Sequence, residues 1–336
     1  MPNIDILRHL NFTPIKWEDG KLIILDQRLL PEKEEYRRLI AVNEVVEAIR
    51  NLSVRGAPLI GIVAAYGLCL VANPEDSEAF ILACRILKDT RPTAVNLAWA
   101  VDRMNAVRVD NLKNKNLQDM LINEAKNIHE EDAEMCAKIG EFGNGLLPEI
   151  CNVLTHCNAG ALATGGIGTA LGVIYVAHFS GKKIHVWVDE TRPVLQGARL
   201  TAWELSKAGI PYTLISDNMA ATLMAQGKVD IVITGADRVA ANLDFANKIG
   251  TYGLAVIAKY HHVPFYAAAP SSTFDPHCPD GKCIEIENRA PDEVRMVGAQ
   301  MIAPSGAQVY NPAFDVTPHE LIDGIVTEKG ILRVGK

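Results

Sequence analysis

Residues 150–168, ICNVLTHCNAGALATGGIG, decide the fold class of this chain. Their first part, Ile150–Thr155, has the length and the apolar content of a buried β-strand. Glycines follow it, and the apolar run Ile167–Ala177 has the character of a buried helix. The stretch therefore predicts a strand, a glycine-rich turn and a helix in succession.

The same alternation continues toward the C-terminus, where short β-branched runs alternate with helical ones. The further predicted strands are Lys183–Val188, Pro211–Ile215, Val229–Thr234 and Pro264–Ala269. The helices between them are Val194–Ala208 and Met219–Ala225. Such alternation is typical of an α/β protein with a parallel sheet covered by helices on both faces. Near the end, Thr317–Glu320 has capping-box spacing with proline at the first helical position, which predicts a short helix.

The first third of the chain has a different pattern. One strand is predicted at Lys21–Gln27, and apolar residues then recur at helical spacing. The predicted helices are Asn43–Asn51, Ala57–Ala72, Ser77–Lys88 and Ala94–Val107. A charged, periodic stretch at Leu117–Ile139 predicts a long helix with a polar face, of the kind that often connects two domains.

Composition excludes several classes of protein. Apolar residues make up 49% of the 336 residues and charged residues 22%, which is typical of a globular protein and excludes a disordered chain or a collagen-like repeat. Lysine and arginine number 33 against 40 acidic residues, a net charge of −7, and aromatic residues are 6%. This balance argues against a general nucleic-acid binder, an anionic-membrane binder and a stacking surface for single strands.

Neither a membrane anchor nor a secreted form is predicted. The N-terminus lacks a basic segment followed by an apolar one. The apolar stretch Ala57–Ala72 is shorter than the roughly 20 residues that span a bilayer. The 7 cysteines, an odd number scattered over the chain, do not suggest a disulfide framework. We therefore expect a soluble cytoplasmic protein with reduced thiols.

Polar residues follow the predicted strands directly. Cys157–Gly160, Asp189–Arg192, Ser216–Asn218 and Gly235–Arg238 come after the first four strands of the C-terminal part. Ligands of parallel sheets bind beyond the carboxyl ends of the strands. These residues therefore predict an active site at one edge of the sheet.

The glycine-rich turn Gly160–Gly168 has two interpretations. Glycines between a strand and a helix let backbone N–H groups approach a phosphate, or they permit close packing of helix and sheet. The dinucleotide fingerprint is not met, because Gly166 and Gly168 are followed by Gly172, one residue late for GxGxxG. No nicotinamide or flavin cofactor is expected.

Cys157 and Asp237 are the candidate reactive groups at the strand ends. Thiols beside helix N-termini have lowered pKa values and suit chemistry, although most cysteines are buried small hydrophobes. His156 is adjacent to Cys157, but neighbours on an extended strand point to opposite faces, so a direct Cys–His pair is not expected. Asp237 suits a general acid or base once desolvated, and equally a helix N-cap or a surface pair with Arg238.

Four further residues are candidates for binding an anion. Arg55 and Arg91 each precede small residues at a predicted helix start, an arrangement that suits phosphate, although either alone is an ordinary loop arginine. Together they suggest a phosphate between the two domains. Asn247 and Lys248 could hold a phosphate or sugar hydroxyls, or be ordinary surface residues. His277–Cys283 resembles half of a zinc site, but no second pair follows, so no metal is expected.

These motifs together resemble those of a known family, the methylthioribose-1-phosphate isomerases. The resemblance covers nearly the whole chain in order, and the segments around Cys157 and Asp237 are the specific ones. It rests on the strings Arg55–Pro58, Thr155–Gly160, Asp189–Pro193, Gln196–Leu200, Gly235–Arg238, Ala246–Thr251 and Asn311–Pro318. Regulatory subunits of the translation initiation factor 2B exchange factor share the fold and parts of these strings. Leu243 and Phe245 depart from the family pattern, which has Gly and Val there, next to the substrate loop.

The resemblance implies a fold, an activity and a set of site residues. The fold is a smaller, mainly helical N-terminal domain with a few strands, residues 1–125, joined to a Rossmann-like parallel-sheet domain, residues 126–336. The activity is aldose–ketose isomerisation of 5-methylthio-α-D-ribose 1-phosphate to 5-methylthio-D-ribulose 1-phosphate in methionine salvage, by a homodimer without a cofactor. Cys157 and Asp237 would be the catalytic pair, with Asp237 as proton donor. The substrate would be bound by Arg55, Gly56, Ala57, Arg91, Gln196, Asn247 and Lys248.

Two other functions remain open. In the same class, the substrate could be 5-deoxyribose 1-phosphate or ribose 1,5-bisphosphate. In a different class, the chain could be a non-catalytic regulatory subunit that binds a sugar phosphate or nucleotide and a protein partner. The joint presence of Cys157 and Asp237 favours the enzyme, whose partner is a small molecule rather than a nucleic acid or a membrane.

Overall fold

Two units make up the chain in the computed structural model, which describes residues 2–71 and 73–334. Unit 1 comprises Met1–Ala137 with Gly160–Gly168, and unit 2 comprises Lys138–Ala159 with Thr169–Lys336. The predicted boundary between residues 125 and 126 lies inside a helix and stays a prediction. The glycine-rich segment thus belongs to unit 1, although the chain on either side of it belongs to unit 2.

Unit 1 combines helices with a small antiparallel sheet. Its elements are α1 (Pro2–Leu10), β1 (Ile15–Glu18), β2 (Lys21–Leu25), β3 (Tyr36–Leu39), α2 (Val42–Arg50), α3 (Ala57–Cys69), α4 (Ser77–Lys88), α5 (Val95–Asp110) and α6 (Leu117–Asn144), whose last residues belong to unit 2. The strand order is β1-β2-β3. The predicted strand is confirmed as β2, and α4 is confirmed with its predicted bounds. Asp76 fixes the start of α4, because its carboxylate accepts hydrogen bonds from two backbone N–H groups, at 3.1 and 3.2 Å.

The centre of unit 1 is α3, which is buried without interruption from Leu59 to Cys69. At Gly61 a Cβ atom would lie 2.8 Å from the carbonyl oxygen of Asn96, so this glycine allows α5 to pack closely against α3. The predicted helix ran to Ala72, whereas α3 ends at Cys69 and Ala72 itself lies outside the described residues. None of the described helices is long and apolar enough to cross a membrane.

Unit 2 alternates strands and helices. Its elements after α6 are β4 (Ile150–Thr155), α7 (Ala170–Phe179), β5 (Lys183–Asp189), α8 (Ala202–Ala208), β6 (Tyr212–Ile215), α9 (Ala220–Ala225), β7 (Ile231–Thr234), β8 (Arg238–Ala240), β9 (Phe245–Lys248), α10 (Thr251–Tyr260), β10 (Phe265–Ala268), β11 (Phe274–Asp275), α11 (Asp292–Arg295), β12 (Met296–Val297), β13 (Gln300–Met301), β14 (Phe314–Thr317), β15 (Gly324–Thr327) and β16 (Gly330–Arg333). The predicted strand Ile150–Thr155 is confirmed with its bounds as β4.

The main sheet has seven strands in the order β16-β15-β10-β7-β4-β5-β6. All neighbouring strands run parallel except the hairpin of β15 and β16. The predicted α/β fold with a parallel sheet is thereby confirmed. The chain enters at β4, continues to β5 and β6 on one side, and then crosses to β7 on the other. Such a switch point creates a crevice at the carboxyl ends of the strands, which is where ligands of these sheets bind.

A second sheet of four short strands, in the order β11-β8-β9-β14, was not predicted. Its strand β8 begins immediately after Asp237, and β9 carries Asn247 and Lys248. Strands β8 and β9 pair antiparallel, with Arg238 opposite Ala246. The sheet therefore fixes the position of two segments that the sequence singles out for function.

The predicted capping box at Thr317–Glu320 is wrong, because Thr317 does not cap a helix. Thr317 ends β14, where it pairs with Phe245 of β9. Its buried hydroxyl has no hydrogen-bond partner in the described part of the chain, and the single helical turn that follows, His319–Leu321, starts without a side-chain cap. Thr317 therefore pairs within the sheet, although the local spacing predicted it as the cap of a helix.

Candidate active site

Cys157 lies just beyond the end of β4 in a strained backbone conformation. Its φ angle is 63°, in the left-handed region that non-glycine residues rarely adopt. The side chain is partly buried. Because such a conformation is unfavourable by itself, the surrounding structure must hold it, and strain of this kind is common at functional sites.

Two threonine hydroxyls hold the backbone of Cys157 from both sides. The Cys157 N–H donates to Oγ1 of Thr191 at 2.8 Å, and Oγ1 of Thr201 donates to the Cys157 carbonyl at 2.6 Å. Thr201 in turn accepts a hydrogen bond from Nδ2 of Asn158 at 3.1 Å. The same amide donates to the carboxylate of Glu204 at 2.8 Å, and Glu204 is fully buried. The sequence placed Thr191 among the polar residues that follow the strands, but it indicated neither the hydrogen bonds of the two threonines to Cys157 nor any role for Thr201 and Glu204.

Replacing Thr201 with valine keeps the shape of the side chain and removes the hydroxyl. The Cys157 carbonyl and the Asn158 amide then each lose a partner inside the protein, so Thr201→Val is expected to lower the free energy of unfolding by roughly 1–3 kcal/mol. Equilibrium urea unfolding measures the change. Thr222→Val, at an exposed threonine of α9, is the control and is expected to stay within about 0.5 kcal/mol of the wild type. Equal effects at the two positions would contradict the role of the Thr201 hydroxyl.

Gln196 precedes a π-helical turn, Gly197–Thr201, that leads into α8. Turns of this type are rare and often mark functional sites. The Gln196 side chain is buried at 6% exposure, and its Oε1 atom has no hydrogen-bond partner in the described part of the chain. A buried acceptor without a partner is unfavourable, and a ligand hydroxyl could satisfy it.

His156 points away from the protein surface and joins three segments of unit 2. Its Nδ1 lies 2.9 Å from Oδ2 of Asp189, and its Nε2 lies 2.9 Å from the carbonyl oxygen of Ile249. Asp217 lies next to this pair and accepts the backbone N–H groups of Thr191 and Arg192, at 2.6 and 2.7 Å. His156, Asp189 and Asp217 bring potential ligand atoms within 4.8 Å of one another, but these hydrogen bonds already engage them, and we do not assign them as metal ligands.

Asp237 lies between β7 and β8 and is partly buried. Its backbone N–H donates to the carbonyl oxygen of Ala246 at 2.8 Å, which ties it to β9. A strand and not a helix follows Asp237, so the interpretation as a helix N-cap is wrong. The neighbouring Arg238 directs its guanidinium to Asp275, with Nε 3.1 Å from Oδ2.

Asn247 and Lys248 are buried in β9, with exposures of 4% and 9%, so they are not ordinary surface residues. Nδ2 of Asn247 donates to Oγ1 of Thr251 at 2.9 Å. Nζ of Lys248 donates to the carbonyl oxygen of Ala313 at 2.8 Å and lies 4.4 Å from the centre of the Phe314 ring. A buried ammonium group is a candidate partner for an anionic ligand.

The two residues that depart from the family pattern are Leu243, which has a left-handed backbone conformation, and Phe245, which lies in the apolar core. Leu243 has φ 74°, in the left-handed region where glycine is the favoured residue. Phe245 is fully buried in the apolar core of unit 2. Neither observation assigns these two side chains a contact with a ligand.

Unit 1 carries the remaining predicted residues, Arg55, Gly56, Ala57 and Arg91. The first three form the start of α3, with Gly56 at φ 103°. A Cβ atom at Gly56 would lie 2.5 Å from the Cα of Ala163, so only glycine fits. Nε of Arg55 donates to Oε1 of Gln27 at 3.1 Å, which orients the guanidinium. Cys157, Gln196, Asp237, Asn247 and Lys248 all belong to unit 2.

The glycine-rich segment serves close packing within unit 1. A Cβ atom at Gly165 would lie 2.6 Å from the ring of His129, and one at Gly166 would lie 2.8 Å from the Cα of Ala133. Both of these neighbours are on α6. These two glycines therefore permit close packing against a helix of unit 1, not the packing of helix on sheet that the sequence suggested, and their phosphate-binding role stays a prediction.

Asp132 on α6 accepts the backbone N–H of Gly165 at 2.6 Å. Burial raises the pKa of Asp132 to about 6. The folded protein therefore retains this proton over a range in which the unfolded chain has lost it, and the carboxyl group reduces stability progressively as the pH rises from about 4 to about 6.

Asp132→Asn removes this pH dependence and keeps an acceptor for Gly165. We expect the variant to be more stable than the wild type by roughly 1–3 kcal/mol at neutral pH, and the difference to vanish toward pH 4. Urea unfolding at both pH values measures it. Glu130→Gln, at an exposed position of the same helix, is the control. A stability difference that is the same at both pH values would contradict the explanation.

Comparisons with known proteins find close relatives of this chain. The model of the Initiation factor 2 subunit family matches residues 53–334. A methylthioribose-1-phosphate isomerase of Caldicellulosiruptor saccharolyticus is 53% identical over 333 residues, which cover 97% of this chain and 96% of that protein.

Two solved structures that resemble this chain are described as different proteins. The 5-methylthioribose 1-phosphate isomerase from Pyrococcus horikoshii OT3 has a TM-score of 0.91 at 46% identity, covering 97% of this chain and 94% of its own. A structure described as translation initiation factor eIF-2B, subunit delta, from A. fulgidus has a TM-score of 0.86 at 43% identity, covering 96% of each chain.

Proposed function

The chain belongs to the Initiation factor 2 subunit family and, within it, to the methylthioribose-1-phosphate isomerases, and from this premise we propose that it converts 5-methylthio-α-D-ribose 1-phosphate into 5-methylthio-D-ribulose 1-phosphate. The observation that carries the proposal is identity of 53% to such an isomerase over 97% of this chain. The reaction is an intramolecular oxidation and reduction that turns an aldose into a ketose, as one step of methionine salvage.

The chemistry of the substrate explains why an acid is needed. Its anomeric carbon carries a phosphate ester, so the ring cannot open as a free hemiacetal does. Asp237, which is partly buried just before β8, is proposed to protonate the ring oxygen. Asp237 is thus the proposed general acid.

After ring opening, one hydrogen must move from C2 to C1. Cys157 as a base could remove the C2 proton and pass through an enol phosphate, with the proton returned to C1. Alternatively, a hydride could move directly from C2 to C1 while Cys157 shapes the site. Neither route consumes an external oxidant or reductant, so neither requires a redox cofactor.

The proposed binding residues supply the charges and hydrogen bonds that the substrate needs. Arg55, Arg91 and Lys248 are the proposed partners of the phosphate, and the start of α3 at Gly56 and Ala57 offers backbone N–H groups. Gln196 and Asn247 are proposed to bind the sugar hydroxyls. The buried, unsatisfied Oε1 of Gln196 supports this role.

The setting proposed for this enzyme is the cytoplasm, where it acts as a homodimer. All of the 7 cysteines are free thiols, which is in keeping with a reducing compartment. The homodimer rests on the family resemblance, and the sedimentation of purified protein tests it.

The experiment that tests the substrate compares three sugars. We expect kcat/KM for 5-methylthioribose 1-phosphate to exceed the values for 5-deoxyribose 1-phosphate and ribose 1,5-bisphosphate by at least about tenfold, because a second phosphate needs further cationic contacts and a lost thiomethyl group loses apolar contact. A higher value for either alternative sugar would reassign the substrate, and no turnover of any of them would overturn the proposal.

A second function has one observation in its favour, the similarity to the structure described as subunit delta of eIF-2B. A non-catalytic regulatory subunit would bind a sugar phosphate or nucleotide and a protein partner. Purification of the native protein in a stable complex with other chains, without isomerase activity, would favour this function. Turnover by the purified chain alone would exclude it as the sole role.

A further inference from the structure

His156 is buried at 2% exposure, and each of its ring nitrogens faces one oxygen. Nε2 lies 2.9 Å from the carbonyl oxygen of Ile249, and Nδ1 lies 2.9 Å from Oδ2 of Asp189. His156 directly precedes Cys157, and Ile249 directly follows Lys248. The ring therefore connects the turn that carries Cys157 to the strand end that carries Lys248.

The chemistry of the two partners fixes the number of protons on this pair. A carbonyl oxygen can only accept, so Nε2 must carry a proton. With a neutral ring, the lone pair of Nδ1 would then face an ionised Asp189, and the contact would be repulsive. A hydrogen bond at 2.9 Å needs one more proton, either on Nδ1 or on the carboxyl group of Asp189.

The charges around the ring favour placing this proton on Nδ1. The carboxylates that face the ring or its partner come from several elements: Asp189 and Glu190 at the end of β5, Asp217 before α9, and Asp315 of β14. Burial alone would lower the pKa of His156, but the hydrogen bond and charge of Asp189, with the charge of Asp217, raise it above its ordinary value.

We propose that His156 is a positioning residue, held as an imidazolium, that ties the Cys157 turn to the Lys248 strand end through its two hydrogen bonds. Loss of the proton breaks the contact with Asp189 and loosens the geometry of the two segments. The effect on catalysis rests on the proposed function, whereas the protonation state of the ring does not.

The packing of Gly250 supports this role of the ring. A Cβ atom at Gly250 would lie 2.9 Å from Cε1 and 3.0 Å from Nε2 of His156, and the residue has φ 107°. The turn after Lys248 is therefore in direct contact with the imidazole. Asp315 accepts the N–H groups of Gly250 and Tyr252, at 2.7 and 3.0 Å, so both the ring and a carboxylate contact this turn.

The variant Asp189→Asn removes the titratable proton and allows both hydrogen bonds of the His156 ring to remain. An asparagine amide can donate to Nδ1 of a neutral ring, while Nε2–H still donates to Ile249, so both contacts can persist without the titratable proton. His156→Gln serves to assign the histidine signals by the loss of one set. Neither variant changes Cys157 or Lys248.

The first test is nitrogen NMR of full-length protein labelled at histidine. We expect both ring nitrogens of His156 to carry protons at pH 7 in the wild type, and Nε2 alone to carry one in Asp189→Asn. A singly protonated ring in the wild type at pH 7 would overturn the proposal. This measurement needs no isomerase activity, so it stands even if the proposed function fails.

The second test measures KM for the sugar phosphate at increasing pH above 7. Between pH 7 and the pH at which NMR shows the ring losing its proton, KM of the wild type is expected to rise by about 3- to 10-fold, the value of one lost hydrogen bond. KM of Asp189→Asn is compared with its own value at pH 7 and is expected to change less than about twofold. Parallel rises in both proteins would overturn the link between this proton and the site.

Discussion

Asp237→Asn is expected to lower kcat for isomerisation by about 10²- to 10⁴-fold and to leave KM nearly unchanged. Asparagine has the shape of the aspartate side chain, but it has no acidic proton to give to the ring oxygen. The backbone hydrogen bond from residue 237 to Ala246 does not depend on the side chain, so the loop should keep its position. Steady-state kinetics of ketose formation measure both constants.

The matched control is Asp119→Asn, which removes an exposed carboxylate from the first turn of α6. This variant should retain the wild-type kcat. Cys157→Ala belongs to the same series and is expected to lose kcat as severely as Asp237→Asn. If either site variant keeps more than about a tenth of the wild-type kcat, the assigned role of that residue is wrong.

Gly197→Ala is expected to produce the largest loss of stability, at least about 4 kcal/mol, or to prevent accumulation of folded protein. A Cβ atom at this position would lie 1.7 Å from the carbonyl oxygen of Asp189. That oxygen belongs to the backbone at the end of β5, so it cannot move aside as a flexible side chain would. The substitution must displace either β5 or the π-helical turn that carries Thr201.

The control for Gly197→Ala is Gly253→Ala on α10, where a Cβ atom would meet nothing within 4 Å. Alanine is the better helix former, so this variant is expected to be more stable by roughly 0.5–1 kcal/mol. Equilibrium urea unfolding and the yield of folded protein measure both changes. An unfolding free energy of Gly197→Ala within about 1 kcal/mol of the wild type would contradict the close approach to Asp189.

Five of the seven strands of the main sheet, β4, β5, β6, β7 and β10, could be predicted from the sequence because they are short runs that alternate with helices, whereas the hairpin of β15 and β16 was not predicted. Strand β4 and helix α4 have their predicted bounds, since a strand-to-turn transition marks the first and the Asp76 cap marks the second. The four-stranded sheet escaped prediction. Its strands have only 2 to 4 residues, which is too short for a clear pattern. In addition, β14 pairs with β9, which lies far away in the sequence.

In the candidate site, too, some residues could be predicted from the sequence and others could not. Cys157 and Asp237 could be proposed from the sequence because they follow buried strands, which local pattern can show. The hydroxyls of Thr191 and Thr201 could not be found, because their role is a pair of hydrogen bonds to the backbone of Cys157 from distant positions in the chain. The burial of Lys248 likewise depends on β14 and could not be read from its own segment.

The most direct measurement is NMR of 5-methylthioribose 1-phosphate incubated with a catalytic amount of the purified chain alone. We expect many turnovers to the ketose 5-methylthioribulose 1-phosphate without any added cofactor, and at least about a hundredfold slower formation with Cys157→Ala or Asp237→Asn. No ketose from the wild type, or undiminished ketose from either variant, would contradict the proposed isomerase and its site.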